Sequence, residues 1–87
     1  DLDRRTMTVG KINMLKYDSI PDGMEAVTKI RYKDQGTQSV LHPDDAGRVV
    51  VDFFEPAKGV APGQSAVFYE GDDVVGGGII QRYEPLI

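Results

Sequence analysis

Cysteine is missing from the chain altogether, and histidine occurs once, at His42. Without cysteine there is no disulfide framework, no thiolate metal site and no cysteine nucleophile. Small secreted domains usually rely on disulfide staples, so this absence leans toward a reducing compartment and a cytoplasmic location. No apolar run approaches the ~20 residues of a membrane-spanning helix, and Asp1-Leu2-Asp3-Arg4-Arg5 has no apolar signal core behind it. A membrane is therefore not an expected partner. Helical periodicity is also missing: nowhere does an apolar 3.6-residue period persist over ~10 residues.

What is present fits one small folded domain covering residues 1–87. The 87 residues can bury one modest core but leave no room for a deep cleft between lobes. The 40% hydrophobic and 28% charged content is that of a folded, soluble chain. The net charge of −4 means that the domain as a whole repels nucleic acid. Any nucleic-acid role then rests on a local basic strip or on a neighbouring domain. The first residue is aspartate, and a piece of a longer chain is the expectation.

Short strand-like runs alternate with turn signals. In Thr6–Leu15, Met7 and Val9 fall on one face, with the side of Lys11 in the same phase. Thr8, Ile12 and Met14 fall on the other, so the alternation slips near Gly10, as at a β-bulge. Asp18–Gly23 is a loop with a Pro-Asp-Gly turn. In Glu25–Lys33, Ala26, Thr28, Ile30 and Tyr32 share one face, and Val27, Lys29, Arg31 and Lys33 the other, the pattern of a half-buried strand. Thr37–Leu41 is a short strand ended by a turn at His42-Pro43-Asp44-Asp45. Arg48–Phe54, β-branched and aromatic throughout, suits a strand buried on both faces. Ala61-Pro62-Gly63 predicts a type II turn. Ser65–Tyr69, a hairpin turn at Glu70-Gly71-Asp72-Asp73, and Val74–Gln81 follow. Six or seven such strands read as an all-β fold, a small antiparallel barrel similar to the translation-factor-like barrel. Val49, Val51, Phe53, Val67 and Phe68 are the expected core.

Little in this pattern supports catalysis. His42 has no second histidine or cysteine to share a metal with, and Asp44 and Asp45 beside it read as turn residues. A phosphate loop at Gly76-Gly77-Gly78 would need a following helix, yet Ile79-Ile80-Gln81 is strand-like, so a close backbone approach in a barrel strand fits better. The acid pairs Asp44-Asp45 and Asp72-Asp73 each sit beside glycine in turns, with nothing to set one against the other as acid and base. Lys29, Arg31 and Lys33 form a basic strip with Tyr32 interleaved. That is the minimum for gripping phosphates and stacking on a base, although on the residues alone a solvated outer face is the favoured account in so acidic a chain.

Three segments in order, Lys29-Ile30-Arg31-Tyr32-Lys33, Val49–Pro56 (VVVDFFEP) and Ala61–Asp72 (APGQSAVFYEGD), followed by Gly76–Ile80 (GGGII), resemble the C-terminal β-barrel domain of bacterial tRNA-specific 2-thiouridylases. The resemblance runs from about Met7 to Ile80. It implies a parent enzyme that uses ATP to adenylate the wobble uridine of tRNA and then installs sulfur from a cysteine persulfide. The ATP-binding loop and two catalytic cysteines of that enzyme would lie upstream, so this chain itself would carry neither cofactor nor catalytic residue. It implies tRNA contacts at Arg31, Tyr32 and Gln64, and the basic strip adds Lys29 and Lys33 on the same strand as auxiliary phosphate contacts. Family members often carry arginine where this chain has Lys33, which keeps the charge without the guanidinium fork. The implied partners are tRNA, the upstream catalytic domains and a sulfur-relay donor protein. The rival reading is a structural module that packs on the catalytic domains and touches RNA little.

Overall fold

The computed structural model describes residues 4–30, 35–57 and 60–81. Six strands account for most of them: β1 (Arg4–Met14), β2 (Met24–Lys29), β3 (Thr37–Pro43), β4 (Val49–Ala57), β5 (Ser65–Glu70) and β6 (Asp73–Ile80). They close into an antiparallel barrel in the order β1-β4-β3-β2-β5-β6. β1 serves two neighbours: its first half pairs with β4 (Thr6 with Asp52, Val9 with Val49) and its second half with β6 (Val9 with Ile80, Asn13 with Gly77). Closure leaves no unpaired sheet edge among these strands.

The expected slip in β1 is a real bulge. The β1–β6 register shifts between Gly10 and Asn13, and Lys11 adopts a φ of 50° there. Met7 and Val9 point inward before the bulge, and Lys11 is exposed rather than inward. Ile12 and Met14 pack against the core after it. The triple glycine lies where three backbones converge. A Cβ on Gly76 would sit 2.6 Å from Asn13 O, one on Gly77 2.4 Å from Ala66 O, and one on Gly78 2.2 Å from Gly10 O. β6 can lie between β1 and β5 at this spacing only without side chains, which is the close approach read from the sequence.

The core is one cluster. Val9, Leu41, Val51, Phe53, Phe68 and Val75 are its most enclosed apolar members. Two polar side chains share it. Ser39 Oγ donates to Ala26 O at 2.8 Å, and Thr28 Oγ1 lies 2.7 Å from Ser39 Oγ, so the Thr28 hydroxyl supplies the proton between them. Ile20, in the β1–β2 connection, and Val60, before β5, are buried loop residues that the alternation did not single out.

Three expectations need correction. Val67 belongs to the outer face: Ala66 and Phe68 hold the inward positions of β5, so Val67 must point out. β4 is buried on one face only, since Asp52 and Phe54 are exposed while Val49, Val51 and Phe53 are enclosed. β3 runs on through His42 to Pro43, which pairs with Val49 at the strand's end. A proline is tolerated at such a terminus because the ladder asks it for no further donor.

Candidate nucleic-acid interface

Strand direction sorts the connections onto two ends of the barrel. The β1–β2 connection, the β3–β4 turn and the β5–β6 turn lie at one end, called here the turn end. The start of β1, the β2–β3 and β4–β5 connections and the end of β6 lie at the other, the loop end.

The turn end concentrates acid. Asp18, Asp22, Asp44, Asp45, Glu70, Asp72 and Asp73 lie there, half of the chain's 14 carboxylates, with only Lys16 and Arg48 of its 10 cations. These cations are engaged. Lys16 Nζ donates to Glu70 Oε1 at 2.7 Å and to Asp73 Oδ2 at 2.8 Å, tying the β1–β2 connection to the β5–β6 hairpin. The hydrogen bonds from Lys16 to Asp73 and Glu70 raise the lysine's pKa well above its ordinary value. Lys16, and then the Tyr17 hydroxyl that donates to Glu70 Oε1 at 2.6 Å, hold Glu70 below the usual carboxylate range. The same hydrogen bond pushes the Tyr17 phenol up. Arg48 donates from Nε to Asp44 Oδ2 at 3.0 Å. Asp44 Oδ1 also accepts from the backbone N–H groups of Ala46 and Arg48, and the Arg48 N–H is the main cause of its lowered pKa. His42 Nδ1 lies 2.9 Å from Asp22 Oδ1. Among the described residues no three His, Cys, Asp or Glu side chains converge to hold a metal. A cleft of about 470 Å³ opens here, lined by Tyr17, Asp18, Ser19, Pro21, Met24 and Glu70. Its two carboxylates make it a poor seat for a phosphate.

The loop end carries the residues singled out from the sequence. Lys29, the last residue of β2, pairs with Val67 of β5. β2 therefore leaves the sheet on the side where β5 begins, three residues from Gln64. The Lys29 ammonium sits 4.5 Å from the centre of the Tyr69 ring, a cation–π contact that holds the charge over the outer face. Tyr69 was not singled out by the sequence pattern; it lies opposite Val27 and two residues along β5 from Val67, the Lys29 partner, on the same outer face. Arg31, Tyr32 and Lys33 lie outside the described residues.

Gln64 is placed by the turn before it. Gly63 has a φ of 89° and the Gln64 N–H reaches Ala61 O at 3.4 Å, as the type II reading requires. Gly63 N–H donates to Ile80 O and Ile80 N–H to Gln64 O, pinning the turn to the end of β6. The side chain is half-buried rather than free at a loop tip. Its Oε1 is buried, and among the described residues it is the buried side-chain polar atom without a hydrogen-bond partner. Such an acceptor costs stability until a donor reaches it.

The Gly76–Gly78 strand cannot cradle a nucleotide phosphate. Gly76, Gly77 and Gly78 stand in ladder positions between β1 and β5, and no helix follows them among the described residues.

Comparison with known proteins agrees with this fold. A family profile for the aminomethyltransferase β-barrel domain matches residues 4–80. The tRNA-specific 2-thiouridylase MnmA of Chlorobaculum tepidum is 40% identical over 85 residues, which are 98% of this chain and 23% of that protein. Its counterpart in Amoebophilus asiaticus is 47% identical over 83 residues, covering 93% and 22% of the two chains. The Acetivibrio thermocellus protein of the same name is 43% identical over 77 residues, covering 88% and 21%. The chain thus spans little more than a fifth of the length of the curated relatives it matches. With the profile running from the first strand to the last, this closed six-stranded barrel belongs to the aminomethyltransferase β-barrel domain family.

Proposed function

We propose that this barrel is an auxiliary, RNA-contacting domain of an ATP-dependent tRNA 2-thiouridylase, occupying the C-terminal part of the longer enzyme as a single domain over residues 1–87. The relatives' names supply the substrate class, tRNA, and the reaction, thiolation of a uridine. In this reading ATP and the sulfur chemistry belong to upstream domains in a cytoplasmic enzyme, where a sulfur-relay protein is a further partner. The barrel offers no phosphate cradle and no thiol.

The observation that carries the RNA role is the segregation of charge. A chain of net charge −4 repels a polyanion, but the turn end holds half of its carboxylates with only two of its 10 cations, leaving Lys29 and Gln64 on the opposite side. We assign Arg31, Tyr32 and Gln64 to tRNA contact, with Lys29 and Lys33 as phosphate contacts. Arg31 forks onto a phosphate and Tyr32 stacks on a base or sugar. The Gln64 Oε1, lacking a donor among the described residues, accepts one from a ribose hydroxyl or a base amine.

The test is tRNA affinity of the full-length enzyme over a salt series. Arg31→Ala is expected to weaken binding and to reduce the salt slope by about one. Tyr32→Ala is expected to cost roughly 1–3 kcal/mol with the slope unchanged, because stacking releases few counterions. Wild-type affinity for both variants at every salt concentration would leave the barrel as a structural module.

A further inference from the structure

The outer face shared by β1, β5 and β6 carries a shallow groove of about 330 Å³. Gly77, opposite Val67 and Asn13, leaves its outer face without a side chain, Gly76 and Gly78 line the groove with backbone only, and Val67, Val74 and Ile79 form apolar walls. Leu15, 66% exposed, stands at one end. Asn13 and Ser65 supply an amide and a hydroxyl at the rim, and Lys11 supplies a charge. The bulge pushes Lys11 outward at a φ of 50°, and among the described residues it has no ion-pair partner. In so acidic a chain, no carboxylate lines this groove.

The cross-strand row Lys29–Val67–Gly77–Asn13 runs across the groove. Three strand steps at ~4.8 Å place Lys29 about 14 Å from Asn13, with Lys11 on the far side. Lys11 therefore stands at one side of this apolar floor, and the Lys29 ammonium stands beyond Val67 at the other. The Lys29 charge is also held in place by the Tyr69 ring. A planar base fits such a floor, and the two cations match phosphates of the strand that carries it. The volume is at the lower end of small-ligand clefts, about 300 Å³, which suits a single nucleotide.

We propose that this groove holds an unpaired nucleotide of tRNA, its base on the floor at Gly77 and phosphates of the same strand at Lys11 and Lys29. The inference rests on the RNA-contacting reading above and extends that interface from the loop end across the outer sheet. Gly77 is then used twice: it lets β6 lie close to β5, and it leaves the outer face at that point without a side chain for a ring to meet.

The experiment is a titration of the ¹⁵N-labelled chain with a tRNA transcript at low salt, read by amide shifts. Shifts at Lys11, Asn13, Ser65 and Gly76–Gly78, together with those around Gln64, are expected. Shifts around Gln64 alone would overturn the groove proposal and leave the RNA-contacting reading standing. Silence everywhere would overturn both and leave the apolar groove to a protein surface. Lys11→Gln is expected to weaken binding about 3–10-fold, with the salt slope lower by about one. Arg48→Gln, the same charge change at the turn end, is expected to alter affinity less than about 2-fold. Equal losses from the two substitutions would reduce the Lys11 effect to net charge and overturn the proposal.

Discussion

Phe53 and Phe54 are neighbours in β4 with opposite surroundings: Phe53 is 1% exposed in the core and Phe54 is 50% exposed outside it. Phe53→Ala is expected to cost about 3–5 kcal/mol, the transfer energy of the ring plus the cavity left behind. Small domains have a total stability of about 5–15 kcal/mol, so this variant stands near unfolding. Phe54→Ala is expected to change stability by about 0.5 kcal/mol or less. Urea midpoints of both variants check the pair, and similar midpoints would mean that the strand's two faces have been confused. Four of the five expected core residues, Val49, Val51, Phe53 and Phe68, are enclosed, and Met7 and Val9 share the inward face that alternation gave them. Val67 was misread because three of the five residues of SAVFY are large and apolar. The small Ala66, which takes the inward position, hides the phase. Ile20 and Val60 were missed because loop residues have no periodicity to betray their burial.

At the scale of elements, the sequence disclosed what turns and glycines dictate. The bulge after Gly10, the type II turn at Gly63 and the two-residue hairpin at Gly71-Asp72 all stand where the pattern placed them. Gly77→Ala tests the close approach. Its Cβ would meet a backbone oxygen at 2.4 Å, which no side-chain rotation relieves, and about 1–3 kcal/mol of destabilisation is expected from the denaturant midpoint. The turn end adds a pH dependence. Asp44 and Glu70 have lowered carboxyl pKa values in the folded state. Such groups stabilise the fold above their unfolded values of about 4, and the contribution is lost as pH falls through the folded values. Lys16 is raised, so its contribution is complete below its unfolded value, about 10.4, and fades only as pH climbs through the raised one. All three are therefore in force at neutral pH. Asp44→Ala is expected to lower the thermal midpoint at pH 7 and to converge on wild type as pH falls through the lowered folded value of Asp44. A gap that stays constant with pH would show that Asp44 acts without its charge.

For the whole molecule, net charge hides an uneven distribution between the two ends of the barrel. A value of −4 argues against RNA, yet composition cannot say which end of a barrel holds the acid. The topology does, and the same topology brings Gln64 and the end of β2 together across 35 residues of sequence. It could not be read from the residues alone, because strand order in a closed sheet leaves little local trace. The segregation itself makes a prediction. The six residues of β5 separate the two ends by about 20 Å. That is less than the Debye length of ~30 Å at 0.01 M salt and more than twice the ~8 Å at 0.15 M. Each carboxylate–phosphate pair at that distance costs about 0.2 kcal/mol in water before screening. Asp45 and Asp72 are exposed turn residues, so Asp45→Asn with Asp72→Asn removes charge and leaves the Asp44 and Lys16 networks intact. If RNA lies at the loop end and along the outer groove, this double variant should bind tRNA about 2–5-fold more tightly at 0.01 M salt. At 0.15 M it should match wild type to within about 1.5-fold. A gain that persists undiminished at 0.15 M would place the RNA against the acidic turns themselves and reverse the orientation argued here.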